Sequence, residues 1–348
     1  MKISICIPHY NRAEYLLKVI DSVHVQSYKE IELVITDDCS KDNSAEVIPA
    51  RLAGLPIESR YLRHEKNIGY DANLRSAMEA ASGDYLFILG NDDALADEHA
   101  ISYLAGLLEE NDLPEVAVCN YYPWGRPEEV QRRVQFTGIA GRGPETAIKT
   151  YRTFSFVAGI IYKRSAFLAH NTGEHDHSVF VQIYLAARII AAGGALLEIE
   201  RPLVAKDVQK DGAMADSYRD KLVRGRWVFS PRNGGLRSVG KVASAAIIPF
   251  IAGKKKRGAW YDIYAQILKF SYPYWLYDYR KNNAYGESLN MALGCFPPFL
   301  MAAADAPPLT ALRLCLPYAA ATVAGLFIPL WLLDRVKGAV YRLSRRIG

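Results

Sequence analysis

The alternation of short apolar runs with amphipathic segments constrains this chain more than any other feature of it. Residues 3–7, Ile-Ser-Ile-Cys-Ile, read as a strand closed by Pro8, and residues 15–25 set Leu16, Leu17, Val19, Ile20 and Val23 on one helical face. Residues 31–36 are a second strand. The polar run 37–42 is rich in N-cap residues and leads into a helix ending near Leu52. A third strand at 57–62, a polar loop and a helix over about 71–81 precede the apolar run 85–89. A helix at 100–109 and a strand at 116–121 come next, then a long loop over 122–144. A strand at 159–162, a helix at 179–192 and a strand at 195–199 complete the pattern. Such spacing predicts βαβ units and an α/β fold with a mostly parallel sheet flanked by helices.

The fourth strand ends in two adjacent acids, Asp92 and Asp93. Like charges side by side repel, and each needs water, hydrogen bonds or a cation. The C-terminal end of a central strand is where open α/β sheets bind ligands. Hard oxygens there suit a divalent metal that itself holds a phosphate. An Asp-Asp pair also serves as a plain N-cap and turn, and that reading stands beside the first.

The 348 residues, half of them apolar, suffice for one large or two modest cores. The five cysteines are widely spaced and include no C-x-x-C, which supports neither a disulfide framework nor a zinc site and fits a reducing cytosol. An apolar strand from Ile3 with Pro8 behind it is too short for a signal peptide. The net charge of +5 gathers towards the C-terminus, in Lys254-Lys255-Lys256-Arg257 and in Arg342, Arg345 and Arg346. With no nucleic-acid-binding module legible, this points to an anionic surface rather than DNA or RNA.

Four pieces of the first ninety-odd residues, in order, complete the reading. They are Pro8-His9-Tyr10-Asn11-Arg12, Asp37-Asp38-Cys39-Ser40-Lys41-Asp42, Asn67-Ile68-Gly69 with Asn73, and Gly83-Asp84-Tyr85 leading to Asn91-Asp92-Asp93. Together, over about a quarter of the chain, they resemble the inverting family-2 glycosyltransferases of GT-A fold, of bacterial surface-polysaccharide (O-antigen) type. The resemblance implies transfer of a hexosyl or deoxyhexosyl group from a nucleotide-diphosphate sugar to an acceptor hydroxyl. It implies that Pro8 and Tyr10 frame the base and ribose, and that Asp38 accepts from a ring N–H of the base. Asn11, Arg12, Asp37, Asn67, Gly69 and Asn73 complete the donor site, although helix capping also accounts for Asp37 or Asp38.

The family's metal motif places its final, magnesium- or manganese-binding acid at Asp93, with Asp92 sharing the ion or touching ribose. Asn91 departs from the acid expected at the first position. The family's general base falls ahead of a helix ending in glycine, which here points to Asp176, with Glu174 second and His177 orienting the acceptor or acting itself. The expected Glu-Asp pair is missing, and a polar loop capping the helix through Asp176 or Ser178 is the alternative. Two rivals remain: a non-catalytic nucleotide- or lipid-binding member of the fold, and a sugar nucleotidyltransferase, for which no glycine-rich N-terminal phosphate loop is present.

Beyond residue 222 the character changes, giving a catalytic domain at 1–222 and a helical, membrane-associated module at 223–348. Residues 314–333 carry no charge and would extend about 30 Å as a helix, enough for a bilayer core. A single span would separate a cytosolic catalytic domain from a basic tail that prefers the same side. An in-plane or re-entrant segment removes the conflict, and a buried soluble helix is the third reading. Leu332, Leu333, Val336, Val340, Leu343 and Ile347 form an apolar face opposite Arg335, Lys337, Arg342, Arg345 and Arg346. Trp260, Tyr261, Trp275 and Trp331 suit an interfacial belt. The expectation is peripheral or re-entrant association with the anionic cytoplasmic face of the inner (plasma) membrane, and a lipid-linked (polyprenyl-diphosphate) glycan as acceptor.

Overall fold

A computed structural model provides the architecture. The structure describes residues 1–210, 213–214, 235–302, 304 and 306–332. The chain forms two compact units, Met1–Ala215 and Asp216–Gly348, and the boundary expected at residue 222 lies outside the described residues.

The first unit is a sheet covered by helices. Its strands are β1 (Ile3–His9), β2 (Ile31–Asp37), β3 (Glu58–Arg63), β4 (Tyr85–Ile88), β5 (Ala94–Leu95), β6 (Val116–Pro123), β7 (Gly138–Gly141), β8 (Ile160–Lys163) and β9 (Leu196–Lys206). They lie in the order β3-β2-β1-β4-β8-β6-β9-β5, with β7 also on β9. β1 through β4 pair in parallel, as does β6 with β9, whereas β5, β7 and β8 run antiparallel to their neighbours. The sheet is therefore mixed, with its parallel half built from the first four strands. Every residue of β1 and β2 is buried, the mark of strands covered on both faces.

Helices α1 (Ala13–His24), α2 (Ser44–Ala53), α3 (Tyr70–Ala80), α4 (Ala100–Glu110), α5 (Gly143–Thr150), α6 (Arg164–His170) and α7 (Val181–Ala191) flank the sheet. Leu16, Val19, Ile20 and Val23 of α1 pack with Ile3, Ile5 and Ile7 of β1 and with Leu33 and Ile35 of β2 in one apolar cluster. Pro8 does not close β1, which runs on to His9. β4 ends at Ile88, opposite Cys6, so beyond that point β1 pairs only with β2 and a residue lacking an N–H is tolerated.

The second unit holds α8 (Leu236–Ile247), α9 (Lys255–Gln266), α10 (Tyr272–Lys281), α11 (Tyr285–Gly294), α12 (Pro297–Met301) and α13 (Pro308–Phe327) among the described residues. Among the described residues α13, at 20 residues, is the one helix long and apolar enough to cross a membrane, judged by length and composition. It begins before the expected segment 314–333 and stops short of its end. Ile328 precedes Pro329, whose ring disfavours the helical conformation in the residue before it, and Ile328 is extended at φ −65°, ψ 131°. The tail pattern at 333–348 lies outside the described residues.

Candidate active site

Because β1, β2 and β4 are parallel, the chain leaves all three at the same edge of the sheet, and the polar motifs meet there. Asn11 and Arg12 both turn through left-handed backbone (φ 54° and 63°) before α1. The Asn11 side-chain oxygen accepts from the Lys41 N–H at 2.8 Å, and the Asn11 N–H donates to Ser40 Oγ at 2.7 Å. Asp37 is fully buried and spent on its own turn and on neighbouring β3, where Arg63 Nε lies 3.7 Å from its Oδ2. It accepts from the Ser40 N–H at 2.9 Å, from the Ser40 hydroxyl and from the Tyr61 hydroxyl.

Asp38 reaches the next loop instead. Its two oxygens accept the backbone N–H groups of Ile68 (2.6 Å) and Gly69 (3.1 Å), while the Asn67 amide donates to the Asp38 carbonyl at 3.2 Å. Gly69 sits at φ 88°, where a side chain would strain the backbone. Asn73 is buried beneath. Its amide donates to the His9 carbonyl at 3.2 Å, and its Oδ1 is buried without a protein partner. Pro8 is buried in β1, and Tyr10 stands exposed just beyond it.

Asn91, where an acid was expected, is tied to His9. Its Nδ2 lies 3.2 Å from His9 Nδ1, and His9 Nε2 lies 2.7 Å from Ser44 Oγ, which bonds to Asp42. Burial lowers the His9 pKa to about 4, so the ring is neutral. The network assigns the proton to Nε2 and leaves Nδ1 to accept from the Asn91 amide, a bond no carboxylate could supply.

Asp92 forms an ion pair with Arg12, and its carbonyl accepts from the Val208 N–H at 2.7 Å. Asp93 is 4% exposed and accepts from the Asp207 N–H at 3.0 Å. Burial raises both carboxyls above their ordinary range. Arg12 restrains the rise at Asp92, and the neighbouring Asp92 adds to it at Asp93. Their remaining oxygens converge over Gly90. A Cβ added at Gly90 would stand 2.5 Å from Asp93 Oδ2 and 3.2 Å from Asp92 Oδ1. Among the described residues no three His, Cys, Asp or Glu side chains are grouped to hold an ion.

The loop ahead of α7 joins the same edge through α3. Arg75 grips Asp176 with two bonds, Nε to Oδ1 at 2.9 Å and Nη2 to Oδ2 at 2.7 Å. Asp71 accepts from the N–H groups of Val179 (2.7 Å) and Val181 (3.2 Å), capping α7 from outside its own segment. His177, at φ 70°, brings its Nδ1 within 3.5 Å of where a Cβ on Gly69 would stand. Glu174 is exposed and further out on this loop.

Sequence reading missed Asp71, Arg75 and Asp207. Asp71, Arg75 and Glu79 recur every fourth residue along one side of α3, a polar stripe that could have flagged the first two. Asp207 acts through its backbone N–H at φ 57°, which leaves no signal in the sequence.

The model of the family described as Glycosyl transferase family 2 matches residues 4–168. The abequosyltransferase RfbV of Salmonella typhimurium is 39% identical over 100 residues, 28% of this chain and 30% of that protein. Glycosyltransferase GlyG of Streptococcus pneumoniae is 32% identical over 123 residues, 34% of this chain and 39% of that protein. The matches thus span well under half the length of these relatives. Among solved structures, S. aureus TarS in complex with UDP-GlcNAc superposes with TM-score 0.65 at 15% identity, over 94% of this chain and 89% of that one. The mannosyltransferase PcManGT from Pyrobaculum calidifontis, in complex with GDP-Man and Mn2+, gives TM-score 0.54 at 15% identity, over 96% and 87%. At that identity the structural likeness speaks to fold, and the motifs above supply the rest. Residues 4–168, just under half of the chain, thus match glycosyl transferase family 2, and the first unit has the GT-A fold.

Proposed function

We propose that this protein is an inverting, metal-dependent glycosyltransferase that moves a sugar from a nucleotide-diphosphate donor to a hydroxyl of a lipid-linked glycan. The single observation that carries the reading is the convergence of the Asp38–Gly69 clamp and the Asp92–Asp93 pair on one sheet edge. The nucleotide half of the donor belongs at the clamp. There Asp38 keeps lone pairs for a base N–H. The domain division taken with it is a catalytic part to about residue 222 and a helical part beyond.

The residues fit a divalent ion. Two carboxylate oxygens, Oδ1 of half-buried Asp92 and Oδ2 of buried Asp93, close on one point over a glycine, and their surroundings already disfavour their charge without a cation. Magnesium takes only one or two carboxylates and fills its remaining positions with phosphate oxygens and water, so a third protein ligand is not required. When bound there, magnesium or manganese would stabilise the charge developing on the departing diphosphate. Arg12, already beside Asp92, supports that charge from the protein. Asp176 is the chain's candidate for accepting the acceptor's proton, and Arg75 fixes its orientation.

Apolar α13 supports membrane association and with it a lipid-linked acceptor, and the cytoplasmic face of the inner membrane is the side where such a donor would be met. Thermal shift of the purified full chain with UDP-, GDP-, dTDP- and CDP-sugars, with and without Mn2+, tests the donor site. One nucleotide should raise the melting temperature, and more so with Mn2+. No shift with any of them would contradict the reading.

A further inference from the structure

Helix α13 is apolar apart from Arg313 and a few hydroxyl-bearing side chains, yet the second unit covers only one side of it. On that side Thr310, Leu314 and Gly325 are buried. Tyr318 donates to the Ala292 carbonyl at 2.8 Å, the hydroxyls of Tyr272 and Thr322 meet at 2.7 Å, and Arg280 donates to the Gly325 carbonyl at 2.6 Å. A Cβ at Gly325 would fall 2.5 Å from Leu276, so α10 and α13 approach closely there. On the other side Leu309, Leu312, Leu316, Ala320, Val323 and Phe327 are exposed. Their three- and four-residue spacing makes one continuous stripe about 27 Å long. Leu312, Leu316 and Phe327 are 68%, 79% and 74% exposed. Contiguous apolar surface of this kind marks an interaction site.

Charge decides between a second copy of this chain and lipid. Arg313, the only charged residue of α13, lies over the ring of Tyr261 at 4.7 Å. Tyr261 is one turn beyond Arg257 on α9, whose start carries exposed Lys254, Lys255, Lys256 and Arg257. Arg313, near the start of the stripe, and the four cations one turn from its ring partner make five positive charges, and α13 has no acid to answer them in a second copy. Anionic headgroups would answer them. We propose that α13 lies in the plane of an anionic membrane surface, with the Leu309–Phe327 stripe in the acyl boundary and residues 254–257 over the headgroups. This rests on the membrane-associated reading above and commits it to one face. The helix does not span, because its covered side is held to α10 and α11 by hydrogen bonds that a span would break.

The test is flotation of the full chain with phosphatidylglycerol and with phosphatidylcholine vesicles. Wild type should float with the anionic vesicles. Leu312→Glu with Leu316→Glu, and separately Val323→Glu, should each weaken binding at least about tenfold while circular dichroism and donor-induced thermal shift are kept. Replacing Lys254, Lys255, Lys256 and Arg257 by Gln should weaken binding to anionic vesicles by at least about tenfold and leave neutral vesicles unaffected. If wild type floats and the stripe variants float equally well, the stripe is wrong while membrane association stands. If wild type never floats, the membrane reading falls and this inference with it. If the stripe variants turn a dimer into a monomer without any vesicle binding in wild type, the occupant is a second copy. A cysteine placed at the C-terminus and labelled from outside intact cells would also overturn the in-plane arrangement.

Discussion

Arg75 and Asp176, 101 residues apart in sequence, meet in a two-point ion pair at 2.9 and 2.7 Å. The contact joins α3, the helix that follows Gly69, to the loop that carries the candidate base. An acid so held is aimed, because a planar guanidinium fixes the carboxylate plane as well as its position.

Asp176→Asn should therefore keep donor affinity and lose turnover by about a hundred to ten thousand fold. Arg75→Gln should lose less, with Arg75→Lys no better, since Lys cannot make the paired bonds. Steady-state kinetics with the active donor decides this. A dead Glu174→Gln beside a near-normal Asp176→Asn would move the base by one side chain.

Asp71 holds the same loop from inside. Asp71→Ala removes the acceptor for the Val179 and Val181 N–H groups and should cost about 1 to 2 kcal/mol of stability. Limited proteolysis should then cut near residues 172–180 sooner. Turnover should fall more than donor affinity, and unchanged turnover would show that the loop needs no such anchor.

Gly90→Ala places a methyl group at the point where the oxygens of Asp92 and Asp93 converge. The fold should survive, because the contact is with side chains rather than backbone. The extra melting temperature conferred by Mn2+ together with nucleotide should disappear. A variant with the full Mn2+ effect would put the ion elsewhere.

His9 yields a pH prediction. Its pKa is about 4 in the fold and about 6.5 when unfolded, so between these values the unfolded chain binds more protons. The contribution of a neutral His9 is complete above pH 6.5 and is lost as pH falls towards 4, by about 3 kcal/mol in all. Urea unfolding of wild type and His9→Asn should show a stability gap that narrows between pH 7 and pH 4.5. Parallel curves would mean that His9 is not held neutral.

The parallel half of the sheet was legible because its strands are continuous apolar runs set between amphipathic helices. Residues 122–144 read as loop because β7 is four residues with glycine at both ends, which shows no alternation. β9 runs to Lys206, seven residues past its expected end, since Glu200, Arg201 and Pro202 interrupt the apolar pattern in mid-strand. At the site the motif residues were readable one by one, but their partners were not. Asp38 turning to Gly69, Asn91 to His9 and Arg75 to Asp176 are pairings made by topology across 31, 82 and 101 residues.

The most direct test of the whole account is release of nucleoside diphosphate from a panel of nucleotide sugars by the purified full chain, assayed with Mg2+ or Mn2+ and lipid-linked acceptor. Turnover is expected with one donor class, abolished by chelator and by Asp93→Ala, while that variant remains folded by circular dichroism. Turnover that persists in Asp93→Ala with chelator present would remove the ion from the mechanism. No turnover with any donor by protein that binds nucleotide would make the chain a binding member of its family.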